Sequence, residues 1–190
     1  MFRDRPRNSL ASHSPHHTMT VHRIMPTPPP SWNSWEDIMR LALEEAERTA
    51  AQGEIPVGAV IIDPSGTVVG RGRNTPIAGN DPTAHAEIAA IRDAARRTGN
   101  YRLTGCVMAV TLEPCLMCVG AIVHARIKGV VFGAPDPKAG AVISHLDGFE
   151  LALHNHTVWQ AGGILQDECA ARLHEFFTAR RGEKGDPSVA

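Results

Sequence analysis

The stretch CVMAVTLEPCLMCVGAIVHARIKGVVF, residues 106–132, decides the fold. It begins with a short apolar run that predicts a β-strand over 106–111, followed by a predicted helix over 115–126 and a second apolar strand over 130–132. A strand, a helix and a strand in this order form a crossover unit. In such a unit the two strands are parallel and the sheet is covered on both faces.

The residues before this unit predict a helix and a hairpin. Ser34 is a good N-cap residue for a first helix over 35–51. Apolar β-type runs over 57–62 and 67–72 flank a turn sequence at 63–66, which predicts an antiparallel hairpin. These segments add two strands and one helix to the crossover unit.

Two more helices complete the predicted fold. One opens near His85 and ends at 98–100, and the last covers 166–181, with Cys169, Leu173 and Phe176 or Phe177 on one side. We expect a three-layer α/β/α sandwich. Its mixed sheet has about five strands, with a mostly parallel core and an antiparallel hairpin at one edge, and helices cover both faces.

The chain of 190 residues predicts one catalytic domain over 35–182, between two tails. Residues 1–34 hold six prolines and few large apolar groups, so we expect a disordered tail, and a flexible tail over 183–190. A net charge of −1 gives no support to binding nucleic acid through the overall field, so such contacts need a local basic patch. No apolar run approaches the roughly 18 residues of a membrane span and no secretory signal is visible, which predicts a cytoplasmic protein.

Two short motifs predict a metal centre. Cys115 and Cys118, in the segment Pro114-Cys115-Leu116-Met117-Cys118, lie one helical turn apart and can bind one ion. A helix N-terminus favours their thiolate form. With His85 as the third ligand, a tetrahedral zinc ion keeps its fourth position open for water, which is typical of catalytic rather than structural sites.

Glu87 is the predicted proton carrier of this site. Positions two apart point in nearly opposite directions within a helix, so His85 and Glu87 can flank one cavity only at a junction between a loop and a helix. There Glu87 would take a proton from water and return protons to the substrate and the leaving amine. A disulfide framework fits less well, because Cys106 and Cys169 lie in apolar or helical contexts. A zinc ribbon would need a second Cys-x-x-Cys pair, which these two do not form, and a redox pair would need no His-x-Glu.

The combination of His-x-Glu with Pro-Cys-x-x-Cys is the signature of zinc nucleobase deaminases, of which the bacterial tRNA adenosine deaminases are a known example. Over residues 54–140 and 167–181 the chain resembles those tRNA-specific adenosine deaminases. The resemblance rests on the following segments: Ile55-Pro56-Val57-Gly58-Ala59-Val60, Asn74 with Pro76, Asp81-Pro82-Thr83-Ala84-His85-Ala86-Glu87, Asn100-Tyr101-Arg102-Leu103, Thr111-Leu112-Glu113-Pro114-Cys115, Gly120-Ala121-Ile122, Val131-Phe132-Gly133-Ala134, Asp167-Glu168-Cys169-Ala170-Ala171, Phe176-Phe177 and Arg180-Arg181.

The resemblance implies a reaction and its partners. It implies hydrolysis of adenosine to inosine at the wobble position of a tRNA anticodon, most of all in an arginine tRNA, by a homodimer with one zinc ion per subunit. The target base would be extruded into the zinc pocket. Three alternatives stay open: a free nucleobase deaminase acting on guanine or cytosine, a noncatalytic RNA-binding subunit with a degenerate deaminase fold, and a purely structural zinc domain.

The resemblance also implies substrate contacts. Asn74 would read the base, Val57 and Leu112 would line its pocket, and Ala86 would offer a backbone group; a turn Asn and core side chains are the alternatives. Asp136 would accept a hydrogen bond from the ribose 2′-hydroxyl, unless it only forms a turn between two prolines. The remaining candidates for RNA contacts are Phe177, Lys138, Arg180 and Arg181, while residues 142–156, with His145, His154 and His156, depart from the family pattern.

Overall fold

The computed structural model describes residues 25–184. Within this range the elements are α1 (Trp35–Ala50), β1 (Gly58–Ile62), β2 (Val68–Arg73), α2 (Pro76–Gly79), α3 (Ala86–Thr98), β3 (Val107–Leu112), α4 (Leu116–His124), β4 (Gly129–Ala134), a 3-10 helix at Gly148–Glu150, β5 (Trp159–Ala161) and α5 (Gln166–Lys184). None of these helices is both long enough and apolar enough to cross a membrane.

The five strands form one mixed sheet in the order β2-β1-β3-β4-β5. The predicted crossover of β3, α4 and β4 and the edge hairpin of β1 and β2 are confirmed. The expectation of a mostly parallel core is confirmed as well, because β3-β4 and β4-β5 are parallel, and β1 alone runs antiparallel to its neighbours β2 and β3. The reason is that α3 carries the chain from β2 over β1, so β1 lies between two strands of the opposite direction.

Helices cover both faces of the sheet, as the sequence predicted. Along β1, Ala59 and Ile61 face the core cluster that includes α3 and α4, while Val60 and Ile62 face the cluster of α1 and Cys169 of α5. Alternating burial on both faces is expected for a central strand in a three-layer fold. The short edge strand β5 carries only three residues, which is why no sequence pattern located it.

Two glycines let helices approach the sheet closely. A Cβ on Gly72 of β2 would lie 2.0 Å from the Ala86 carbonyl oxygen of α3, and one on Gly58 of β1 would lie 2.1 Å from the Ala42 carbonyl oxygen of α1. Both contacts are with backbone, which cannot move away as a flexible side chain can. Gly72 therefore allows the first turn of α3 to pack directly against β2, next to His85, and Gly58 does the same for α1 and β1.

Two residues of the predicted N-terminal tail, Pro26 and Trp32, form hydrogen bonds with the domain. The Trp32 indole donates to the Gly66 carbonyl (2.8 Å) in the hairpin turn, and the Trp35 indole donates to the Pro26 carbonyl (2.7 Å). Residues from 26 onward therefore contact the domain, because two tryptophans supply the apolar surface and the donors that the proline-rich composition lacks. At the other end α5 extends two residues past 182. The rest of both predicted tails, 1–24 and 185–190, lies outside the described residues.

Candidate metal centre and substrate pocket

The three predicted ligands come together where two helices begin. His85 and Cys115 are the N-cap residues of α3 and α4, and Cys118 lies in the first turn of α4. The Nδ1 atom of His85 is 3.6 Å from the sulfur of Cys115 and 3.6 Å from that of Cys118, and the two sulfurs are 3.7 Å apart. Within residues 25–182, this is the group of His, Cys, Asp and Glu side chains that converges closely enough to hold an ion.

These distances fit a tetrahedral zinc ion. With Zn–S bonds of about 2.3 Å and Zn–N bonds of about 2.0–2.1 Å, a regular tetrahedron separates its sulfurs by about 3.8 Å and nitrogen from sulfur by about 3.6 Å. Two thiolates and one imidazole also form a donor set that suits zinc, whereas magnesium and calcium prefer oxygen ligands. The three residues would hold the ion through two sulfurs and one ring nitrogen.

The closeness of the two sulfur atoms shifts the pKa values of the two thiols in opposite directions. The hydrogen bond from Cys118, opposed by burial and assisted by His85, lowers the pKa of Cys115 to about 4. The same hydrogen bond, together with burial, raises the pKa of Cys118. A bound divalent cation would remove this difference, because it deprotonates a coordinating thiol outright.

Glu87 lies beside the ligands in the first turn of α3. Its side chain is buried and interacts with both Cys115 and Cys118, and burial raises the pKa of its carboxyl group. The helix begins at Ala86, so His85 still has extended backbone and the two side chains meet on one side of the junction. A carboxyl group with a raised pKa is suited to exchange protons near neutral pH.

Asn74 joins the end of β2 to the start of α3. Its Oδ1 atom accepts a hydrogen bond from the Ala86 N–H (2.9 Å), and its own N–H donates to the Val57 carbonyl (3.2 Å). Because Oδ1 is engaged, the Nδ2 donors are the part of this amide left for a substrate. The group that Ala86 offers to a substrate stays a prediction, and its N–H is occupied within the protein.

The two predicted pocket walls also serve the core. Val57 is buried against the cluster of α3 and α4, and Leu112, at the end of β3, is half-buried and packs against both core clusters. Asp136 is half-buried, and its Oδ1 atom accepts from the N–H groups of Lys138 (2.9 Å) and Ala139 (3.3 Å). The turn predicted as an alternative for Asp136 is therefore present, and it engages one of the two carboxylate oxygens.

The last helix carries the other RNA candidates. Phe177 is exposed and meets Phe176 edge to face at 5.5 Å. Arg180 lies over the Phe176 ring, and its Nη1 atom donates to the Gly53 carbonyl (3.4 Å) after α1. Arg181 contacts Thr178 within the helix. These contacts hold the end of α5 near the segment that leads into β1.

Sequence reasoning missed two buried glutamates next to the motifs. Glu54 and Glu113 accept hydrogen bonds from loop backbone, and Glu113 comes directly before Pro114 and Cys115. The sequence signal that could have identified them is an acidic residue at the edge of an apolar run. Such a residue is buried with the run, and its carboxylate then needs several hydrogen-bond donors.

The three histidines of residues 142–156 donate hydrogen bonds to backbone carbonyls. His145 bonds the carbonyl of Pro137, His154 that of Gly148 and His156 that of Ile127.

Comparisons with known proteins agree with this site. Residues 33–134 match the family described as the cytidine and deoxycytidylate deaminase zinc-binding region. The tRNA-specific adenosine deaminase of Haemophilus influenzae is 50% identical over 149 residues, which cover 78% of this chain and 86% of that protein. The Bacillus subtilis tRNA-specific adenosine deaminase is 38% identical over 146 residues, which cover 77% of this chain and 90% of that protein.

A solved structure extends the likeness to the fold. It comes from a study of A-to-I editing by tRNA:A34 deaminases at the wobble position of transfer RNA. The two sequences are 43% identical, and the match covers 72% of this chain and 99% of the chain in that structure, with a TM-score of 0.70. The chain belongs to the tRNA-specific adenosine deaminases of the zinc-binding cytidine and deoxycytidylate deaminase family.

Proposed function

We propose that the protein converts adenosine to inosine at the wobble position of a tRNA anticodon, with an arginine tRNA as substrate. The observation that carries the proposal is the zinc-compatible cluster of His85, Cys115 and Cys118 with the buried Glu87 beside it. The relatives that the chain resembles are named for tRNA, and the solved structure for tRNA:A34 deaminases. Together these point to deamination of a base within RNA rather than of a free base.

The proposed reaction consumes water and releases ammonia. Zinc bound to the three ligands would supply the Lewis acidity that makes water nucleophilic at neutral pH. Glu87 takes one proton from the water, delivers a proton to N1 of the adenine ring, and assists protonation of the amino group that leaves C6. Adenosine and water thus give inosine and ammonia, and the carboxyl group ends in its starting state.

The residues around the ligands would bind the target nucleotide. Asn74 presents its Nδ2 donors to an acceptor on the base, and Val57 and Leu112 bound the space where the base lies. The second carboxylate oxygen of Asp136 accepts from the ribose 2′-hydroxyl, a group that DNA lacks. Phe177, Arg180, Arg181 and Lys138 would contact the RNA beyond the target nucleotide, through stacking and phosphate contacts.

We infer further that two copies of the chain act together, in the cytoplasm, where the proposed substrate is found. Support for a dimer comes from large apolar side chains exposed in α4 and the loop that follows β4. Such exposure is typical of protein interfaces. The side chains are Leu116 (54% exposed), Met117 (37%), Ile143 (60%), Leu146 (36%) and Leu153 (79%).

The test is an inosine assay on a defined RNA. The purified protein is incubated with an arginine tRNA that carries adenosine at position 34, and inosine is read by sequencing, with an E87A variant as the inactive control. Expected is complete editing of that one adenosine. Absence of editing by a zinc-loaded dimer, with ammonia released from free guanine or cytosine instead, would overturn the proposal in favour of a free-base deaminase.

A further inference from the structure

Two segments of the pocket rim have little regular structure of their own. Residues 74–80 contain the single helical turn α2, and residues 135–147 contain turns but neither a helix nor a sheet strand. These segments carry Asn74 and Asp136, which the proposed function assigns to the target nucleotide. Loops of this kind keep a fixed shape only if their backbone polar groups have partners.

Glu113 supplies those partners for the second segment. Its Oε1 atom accepts from the N–H groups of Val142 (3.0 Å), Ile143 (2.7 Å) and Ser144 (2.9 Å). Its Oε2 atom accepts from the Asp136 N–H (3.0 Å) and from the Ser144 hydroxyl. One carboxylate thus binds both ends of the segment, and its five donors saturate the positions that a carboxylate offers.

The environment of Glu113 fixes its side chain in place. The side chain is only 2% exposed, and four backbone N–H groups and one hydroxyl group surround its two carboxylate oxygens. A Cβ on Gly140 would lie 2.4 Å from this carboxylate, so the loop closes tightly around it. Because Glu113 is two residues from Cys115, it joins the rim to the segment that carries the metal ligands.

Glu54 binds the backbone of the first segment, residues 74–80, in the same way but with fewer hydrogen bonds. Its side chain is 1% exposed, and it accepts from the N–H groups of Ile77 (3.3 Å) and Ala78 (2.7 Å). These donors belong to the first turn of α2, which follows Asn74. Each rim segment is therefore attached to one buried glutamate. Glu54 directly precedes the family-like segment that begins at Ile55, and Glu113 directly precedes the Pro-Cys-x-x-Cys motif that begins at Pro114.

We propose that Glu113 and Glu54 are positioning residues that set the shape of the RNA-binding rim without touching the substrate. This inference rests on the proposed function for the identity of the substrate, and on the hydrogen bonds above for the shape of the loops. The inference predicts that these residues affect the binding of RNA and not the chemical step. Replacing either carboxylate with a weaker acceptor raises KM for RNA and leaves zinc binding and kcat largely intact. Glu113 has the larger effect because it accepts from five donors and Glu54 from two.

The experiment compares E113Q, E54Q and a matched control, D63N. An amide in place of the carboxylate turns one acceptor oxygen into a donor, so at least one loop N–H loses its partner. Asp63 likewise accepts from backbone and hydroxyl groups, those of Ser65 and Thr67, but in the hairpin turn at the far end of β1. D63N therefore reports the loss of a similar turn network away from the pocket.

Amide hydrogen exchange gives the first measurement and needs no substrate. Exchange at residues 136–144 should be at least about tenfold faster in E113Q, exchange at residues 76–79 should be faster in E54Q, and D63N should change neither segment. Unchanged exchange at 136–144 in a folded E113Q would overturn the inference whatever the enzyme edits. If E113Q does not fold, S144A, which removes one of the five bonds, replaces it with a smaller expected effect.

Kinetics on RNA give the second measurement. KM for the anticodon stem-loop should rise about tenfold in E113Q and less in E54Q, with kcat within about twofold of the parent and one zinc per chain. Loss of zinc, or a fall in kcat at unchanged KM, would instead assign Glu113 to the metal centre and contradict the inference. A parent enzyme that edits no tRNA would refute the proposed function alone, because the exchange result stands independently of it.

Discussion

The metal centre and the pocket rim are built in different ways. The ligands lie at the starts of α3 and α4, whose apolar faces are buried in the largest core cluster. The rim segments around Asn74 and Asp136 depend on hydrogen bonds to single carboxylates. The centre is therefore held by packing that involves many side chains, and the rim by a few polar contacts.

This difference predicts different responses to mutation. A change at the centre removes a group that the chemistry requires, so activity should be lost as a whole. A change at the rim alters how the RNA is bound, so its effects should be graded and appear mainly in KM. The following experiments test whether the two regions are separable in this way.

Removal of the metal should have the largest effect. Chelation should abolish deamination and free Cys115 for alkylation at neutral pH, because coordination no longer protects the thiolate. Cys106 and Cys169 should stay unmodified in the folded protein, since both are buried and burial raises their pKa, that of Cys169 to about 12. Mass spectrometry of peptides after iodoacetamide treatment locates the modified thiols.

Reloading with zinc provides the control for that experiment. Activity and protection of Cys115 should return together when one zinc per chain is restored. Full activity in protein from which all zinc has been removed would contradict the assignment of a catalytic metal. Alkylation of Cys106 or Cys169 would show instead that chelation had opened the core.

Replacement of the proposed proton carrier should have the next largest effect. E87Q preserves the size of the side chain but cannot take up a proton, so kcat should fall about 10³-fold. Zinc content and affinity for the RNA should stay close to those of the parent, measured by metal analysis and by binding under non-turnover conditions. A variant that retains a tenth or more of the parent kcat would exclude Glu87 as the proton carrier.

The metal centre could be predicted from the sequence because its information is local. Cys115 and Cys118 are three residues apart, and His85 and Glu87 are two apart at a helix start, so spacing grouped the members of each pair, and the deaminase signature joined the two pairs. The convergence of the two pairs needed only two helices that begin at the same edge of a sheet. The same reasoning explains the correct crossover of β3, α4 and β4.

The parts that could not be predicted depend on distant residues. The hydrogen bonds that Glu113 accepts from residues 142–144 span about thirty positions, and no periodicity encodes them. β5 is too short to show a pattern, and the antiparallel placement of β1 against β3 follows from the path of α3. The attachment of Trp32 to the hairpin turn is likewise a tertiary contact that composition concealed.

A change at Asn74 tests the boundary between centre and rim. N74D keeps an oxygen that can accept from the Ala86 N–H but removes the Nδ2 donors proposed to bind the base. We expect kcat/KM on the RNA to fall about ten- to a hundredfold, with little change in thermal stability. N74A provides the comparison, because it also leaves the Ala86 N–H without its partner and should lower the melting temperature. Equal kcat/KM in N74D and the parent would show that the amide donors do not read the base.

The smallest effect is expected at the end of α5. Arg180 is exposed, donates a hydrogen bond to the Gly53 carbonyl and lies over the Phe176 ring. R180A should therefore weaken RNA binding only a few-fold. If Arg180 contacts a phosphate, the plot of log affinity against log salt should become shallower by about 0.7–0.9. Affinity measured at several salt concentrations gives this slope.

R172A is the matched control on the same helix. Arg172 is 45% exposed and forms ion pairs with Glu47 and Glu175, so its guanidinium already has acidic partners on the surface between α1 and α5. Its removal should leave both the affinity and the salt slope unchanged, since exposed pairs of this kind contribute little. A fall in stability of R180A with an unchanged slope would assign Arg180 to packing against Phe176. The surface that contacts the RNA would then end before the last turns of α5.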